Sequence, residues 1–179
     1  MKPITKTSIM KFLKEIDFKE DQDGCVFDSY WKQFLSHTPT NKDILNLLES
    51  TLLSTTTSKR MLIWNIALMD TKVDRFNFFI NSLKDENITI DLRTDLEEGV
   101  GLLRVTTKMS NMLIDILEDD TKHLLLRRSI ATIFTDLEEY EPIDTLRLQK
   151  LAYAQKVDFI ISYRLKKALK EIKSEGVLL

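Results

Sequence analysis

The chain reads as an all-α protein, a single compact bundle of about seven or eight helices over residues 1–179 with a long helix at its C-terminal end. Three observations predict this. Apolar residues recur at i, i+3, i+4 and i+7 almost throughout, the spacing that lays one face of a helix against a core. Glycine and proline number only 4 and 3, too few for the tight turns of a sheet protein. Apolar residues make up 43% and charged residues 30%, a balance that supports a buried core and lies far from the composition of disordered chains.

Taken in order, Ile9, Phe12, Leu13 and Ile16 define a first helix, and Phe27, Tyr30, Trp31, Phe34 and Leu35 a second. Pro39 breaks the chain, and Asn41 is placed to cap a third helix through Ile44, Leu47, Leu48 and Leu52. The hydroxyl-rich run 54–58 makes a turn. It is followed by a fourth helix, apolar nearly all round over 61–69, that suits the centre of the fold. Val73, Phe76, Phe79, Ile80 and Leu83 give a fifth. Residues 87–91 alternate like a strand without a partner and are expected to form an extended connector. The pattern from Leu92 to Leu117 predicts one long helix or two in series, weakened by Gly99 and Gly101 near the join. Glu118, Asp119 and Asp120 then supply caps and favourable charge for the next helix start. Leu126, Ile130, Ile133, Phe134 and Leu137 mark that helix, which must end before Glu141, the residue preceding Pro142. The last helix is predicted to run unbroken from near Pro142 to about Lys173, with Gly176 as its C-terminal cap. At 1.5 Å per residue it would be about 45 Å long.

No apolar run approaches the roughly 18 residues of a membrane span, and the N-terminal stretch lacks the apolar core and cleavage site of a secretory signal. The expected setting is cytoplasmic, with no membrane partner. One cysteine, Cys25, forms no intramolecular disulfide and sits among acidic residues that disfavour a reactive thiolate.

Chemical signatures are missing. Cys25, His37 and His123 are scattered without the ligand spacing of a zinc site, so no metal is expected. His123 with Asp120 reads as a surface cap. The pair Gly99 and Gly101 lacks the third glycine and preceding strand of a dinucleotide site, and no phosphate-binding loop occurs, so no cofactor is expected. Hydroxyl groups are plentiful, but two histidines leave no nucleophile with a matched base. The acidic clusters Glu97-Glu98, 118–120 and 136–139 fall where the helical pattern puts solvent. The chain is expected not to be an enzyme.

Charge is divided unevenly. Up to Leu146 there are 18 basic and 25 acidic residues, net −7, and from Arg147 onward 8 basic and 3 acidic, net +5. Projected at 100° per residue, Leu151, Ala154, Val157, Ile161, Leu165, Ala168, Leu169 and Ile172 form a core-facing stripe. The opposite side carries Lys156, Phe159, Tyr163, Lys166, Lys167 and Lys170, and aromatic rings on a face that should be wet make these six the candidate partner-binding residues. Asp158 projects onto the apolar stripe, so it is expected to be a structural buried charge paired with Arg127, Arg128 or Arg104, or engaged in a cap. A cytosolic protein-binding module of the inhibitor, immunity or adaptor type is the expected function, with another protein as partner. The alternative is a nucleic-acid-associated regulator using the basic terminal helix, against which stand the pI of 5.8 and the want of a recognisable binding motif.

Overall fold

Polar side chains cap the starts of most of the described helices. In the computed structural model, which describes Ile63, Ala67 and residues 74–175 (173–175 by backbone alone), six α-helices occur among the described residues. They are α1 (Arg75–Leu83), α2 (Ile90–Gly101), α3 (Thr107–Glu118), α4 (Leu124–Ile133), α5 (Thr145–Ala152) and α6 (Phe159–Glu175). The chain divides after Arg75 into two units, and all six helices belong to the second apart from the first residue of α1. The first three predicted helices, Cys25 and His37 lie outside the described residues, as does the fourth helix apart from Ile63 and Ala67, which are helical and buried.

Thr89 accepts from the Leu92 amide at 3.2 Å, Thr106 from Met109 at 3.3 Å and Asp144 from Arg147 at 3.1 Å. Each satisfies one of the amide donors that a helix start leaves without an intrahelical partner. At α4 the cap is His123, whose Nδ1 accepts from the Leu125 amide at 3.3 Å. This corrects the assignment of that role to the acidic run 118–120. Asp119 instead turns its carboxylate to the amide and hydroxyl of Thr121, at 3.0 and 2.6 Å.

The architecture is all-α, with no sheet among the described residues. One isolated parallel bridge joins Val105 to Tyr140. Nor is any described helix long and apolar enough to cross a membrane. Helix α4 is central, packing on α2, α3 and α6, while α5 packs on α3 and α6. Leu96 and Val100 of α2, Leu113, Ile114 and Leu117 of α3, and Ile130 and Ile133 of α4 meet Leu148 of α5 and Ile161 and Leu165 of α6 in a core from which water is excluded.

Arginines tie the helix ends together. Arg127 of α4 donates through Nε and Nη2 to the Leu117 carbonyl at 3.1 and 2.9 Å, closing the C-terminal end of α3. Arg147 at the start of α5 reaches back to α3, donating to Asp115 at 2.7 Å and to both carboxylate oxygens of Glu118. The two carboxylates raise the Arg147 pKa further above its already high ordinary value.

Three expectations are corrected. Residues 84–89 are a series of turns rather than an extended connector, and Ile90 and Asp91 already belong to α2 because Thr89 caps it. Helix α4 stops at Ile133, leaving Leu137 beyond its end. The long terminal helix is two helices, α5 and α6, separated by residues 153–158. Capping explains the break: Asp158 Oδ1 accepts from the amides of Ile160 and Ile161 at 3.1 and 3.3 Å, an N-cap arrangement. Of the two forms expected over 92–117, the structure has two helices in series. The glycine position supplies a reason: a Cβ on Gly101 would lie 2.6 Å from the carbonyl oxygen of Asp136, so α2 ends against the turn that follows α4. With 17 residues α6 is the longest described helix.

Candidate functional site

A set of hydrogen bonds fixes the corner between α5 and α6. Tyr153 closes α5 by donating its amide to Gln149, and the connector folds on itself through Ala154 N–H to Leu151 and Val157 N–H to Ala154, at 3.2 and 3.3 Å. The Ser162 hydroxyl of α6 donates to the Ala152 carbonyl at 2.7 Å, joining the first turn of one helix to the last turn of the other. Asp158 adds a further tether: Arg128 of α4 donates Nε and Nη2 to its two carboxylate oxygens at 3.0 and 2.8 Å. That two-pronged geometry orients as well as attracts.

Asp158 therefore does not lie within a helix on a continuous apolar stripe. It is the half-buried first cap of α6, and of the three candidate arginines Arg128 is its partner. Arg128 and then the amides of Ile161 and Ile160 hold its carboxyl below the usual carboxylate range, against the opposing effect of burial. Its negative charge is consequently engaged by the protein itself.

Ile161, Leu165, Ala168 and Leu169 turn inward from α6 and are buried. Ala154, expected on the same stripe, is exposed because it belongs to the connector. On the outer face Phe159 is 80% and Tyr163 59% exposed. Their rings, one helical turn apart, stack with centroids 6.5 Å apart and planes 23° apart. Ile160 flanks them. Farther along, Lys167 and Lys170 are exposed, and Lys167 Nζ lies 3.7 Å from Glu171 in an i, i+4 pair. Phe159, Tyr163, Lys166, Lys167 and Lys170 thus share one side of α6, a band about 16 Å long at 1.5 Å per residue. Lys156 is not on the helix but in the turn before it.

Tyr153, absent from the candidates, belongs to this surface. It is 66% exposed, and Lys166 Nζ stands 4.7 Å above its ring centre, within reach of a cation–π attraction. An unbroken helix would have placed it elsewhere, so only recognition of the break could have found it.

A second cluster, at the α2–α4 junction, corrects the reading of Glu97 as solvated. Arg93 is buried and donates to the carbonyls of Leu83 and Asp85, both at 3.0 Å, and to the Ser129 hydroxyl at 3.3 Å. Ser129 is hydrogen bonded to Glu97 in turn. Burial pushes the Glu97 carboxyl above its ordinary value, while the Ser129 hydroxyl and the charge of Arg93 oppose the rise. The Arg93 guanidinium is thus engaged by the chain itself. No group of three or more His, Cys, Asp or Glu among the described residues is arranged to hold a metal ion.

No protein-family model, no curated protein and no solved structure matches the chain.

Proposed function

We propose that the protein is a non-catalytic binding module that meets a nucleic acid through the outer face of α6 and the turn before it. The observation that carries this reading is the conjunction of open aromatic rings and lysines on one band about 16 Å long at the α-helical rise, within residues 147–179, whose net charge is +5. Lysines supply the phosphate attraction that dominates nucleic-acid affinity. Lysine is, by contrast, depleted in protein–protein interfaces. Asp158, the carboxylate beside the aromatic pair, is neutralised by Arg128 and so does not repel a polyanion. The acidic remainder of the chain disfavours binding in other orientations.

A protein partner is the second reading, supported by the contiguity of Phe159, Ile160 and Tyr163 at the start of α6. The inhibitor, immunity and adaptor roles, and a cytoplasmic setting, go with it as proposals. Fluorescence anisotropy with a labelled mixed-sequence oligonucleotide, single-stranded and duplex, separates the two. Affinity should drop by at least tenfold between 50 and 200 mM salt, in line with counterion release from several phosphates. It should vanish in the Lys166→Ala/Lys167→Ala/Lys170→Ala variant. Absence of binding to either form at 50 mM salt would sink the nucleic-acid reading.

A further inference from the structure

We infer that α5, the turn and α6 form a helix-turn-helix that docks on duplex DNA, with the first two turns of α6 entering the major groove and its lysines meeting the flanking phosphates. The inference rests on the nucleic-acid reading above and adds the form of the nucleic acid and the way it is read.

Several parts of such a unit are present. A short helix, α5, is buried through Leu148 and Ala152. It packs on a longer helix, α6, whose inner face also rests on α4. The second helix of such a pair presents its N-terminal residues to base edges while the rest of the unit meets the backbone. The connector of residues 153–158 is longer than the usual three or four, and the hydrogen bonds within it, the Ser162 tether and the Arg128–Asp158 pair hold it in one shape.

Composition changes along α6 in the direction this docking demands. Its start carries open Phe159, Ile160 and Tyr163, and its later turns carry Lys166, Lys167 and Lys170, with Lys156 on the turn. A helix lying across a major groove about 12 Å wide leaves the groove as it runs on and meets the phosphates with its later turns. Lysines belong there and apolar groups at the groove floor. The exposed side chains of the reading end, Phe159, Ile160 and Tyr163, include no Arg, Asn or Gln, the residues that recognise guanine or adenine bidentately, and Arg164 in the second turn is half-buried. Phe159 and Ile160 instead match the C5-methyl group of thymine, the one apolar feature of the major groove. Single-strand recognition would use separate aromatic faces as platforms for successive bases, whereas the rings of Phe159 and Tyr163 already face each other at 6.5 Å.

Selection from a pool of duplexes with a randomised 20-base-pair core tests this, followed by anisotropy on the enriched duplex, on its separate strands, and on the same duplex with thymine replaced by deoxyuridine. A thymine-containing consensus is expected, with the duplex at least tenfold tighter than either strand. Loss of each contacted methyl should weaken binding about fourfold. The Phe159→Ala/Tyr163→Ala variant should keep its salt dependence but become indifferent to the deoxyuridine exchange. The Lys167→Ala/Lys170→Ala variant should keep its preference while its slope of log affinity against log salt falls by about two. Both variants change exposed side chains, and matching circular-dichroism melts establish that they fold. Binding of single strands as tight as the duplex, or no effect of deoxyuridine on the wild type, overturns the inference while leaving the nucleic-acid reading in place. If neither form binds at 50 mM salt, both fall and a protein is the partner class.

Discussion

At the α2–α4 junction a charged side chain is turned inward and surrounded, while at the α5–α6 corner aromatic rings are turned outward and left open. Arg93 is 8% exposed, and its guanidinium reaches two carbonyls and a hydroxyl. Phe159 is 80% exposed although it begins the longest described helix. Each runs against the ordinary distribution of residue types. The first is compensated from within by those three hydrogen bonds. The second has no such compensation from the fold. Internal satisfaction marks a stabilising device, and open rings at an ordered surface are what the binding proposal rests on.

Substitutions at the two regions should therefore separate stability from binding. Arg93→Met keeps the apolar stem but strips the carbonyls of Leu83 and Asp85 of their donors and removes one of the two cations that favour ionised Glu97, the other being Arg164. The expected loss is about 3 kcal/mol or more, read as a lower urea midpoint or as failure to fold. Gly101→Ala, near the same junction, forces a methyl group against the Asp136 carbonyl and should destabilise by about 1–3 kcal/mol. A wild-type midpoint in this variant would mean that the turn after α4 yields freely.

Asp158 stands between the two regions, structural in its bonds and adjacent to the open rings. Removing its cap in Asp158→Ala should lower stability by about 0.5–2 kcal/mol. It should also weaken binding, because the start of α6 is no longer anchored. Its pH dependence contrasts with that of Glu97. The Asp158 carboxyl is held low by Arg128. Its contribution is therefore complete above the unfolded value of about 3.9 and is lost as pH falls through the lower folded value. Glu97 is raised by burial, so the folded state holds its proton more firmly than the unfolded chain. Its contribution should then be greatest below about pH 4.3, decline as pH rises through the folded value, and stay level beyond it. Urea midpoints measured from pH 3 to 7 should lose the low-pH fall in Asp158→Asn and the decline above it in Glu97→Gln.

The smallest effect on stability is expected at Phe159 and Tyr163. Their replacement by alanine should change the unfolding free energy by no more than about 0.5 kcal/mol, the range for exposed positions. A larger loss would show that the rings are covered, and would dissolve the contrast between the corner and the junction.

Much of the helical pattern was legible in the sequence. Phe76, Phe79, Ile80 and Leu83, then Leu113, Leu117, Ile130 and Ile133, follow the i, i+3, i+4 rule and are buried in the structure. The break before α6 was not legible from spacing, because Leu151 and Ile161 keep a helical phase across it. Asp158 was the signal, since a carboxylate on an apolar stripe is explained more simply by a cap that ends the stripe than by a charge inside it. The outward set of Phe159, Tyr163 and three lysines depends only on α6 being helical, which is why projection placed it on one face despite the break. Tyr153 and Lys156 depend on the connector: projection left Tyr153 out and set Lys156 on a helix rather than in the turn before it. Arg93 was hidden for another reason: its partners Leu83, Asp85 and Ser129 come from separate elements, and only the tertiary fold joins them.

The bridge between Val105 and Tyr140 carries a kinetic consequence. Val105 donates its amide to Glu139 and accepts from Glu141, both at 2.9 Å. Thr107 donates its amide to the Glu141 carboxylate at 3.0 Å and its hydroxyl to the Pro142 carbonyl at 3.1 Å. These bonds close the segment containing α3 and α4 into a loop joined at its neck, so neither helix can detach at that end without breaking them. Under native conditions the amides of Val105 and Glu141 should exchange with solvent deuterium at one common, slow rate. The strand-like clasp would then report, from outside both helices, the opening of the pair as a single cooperative unit.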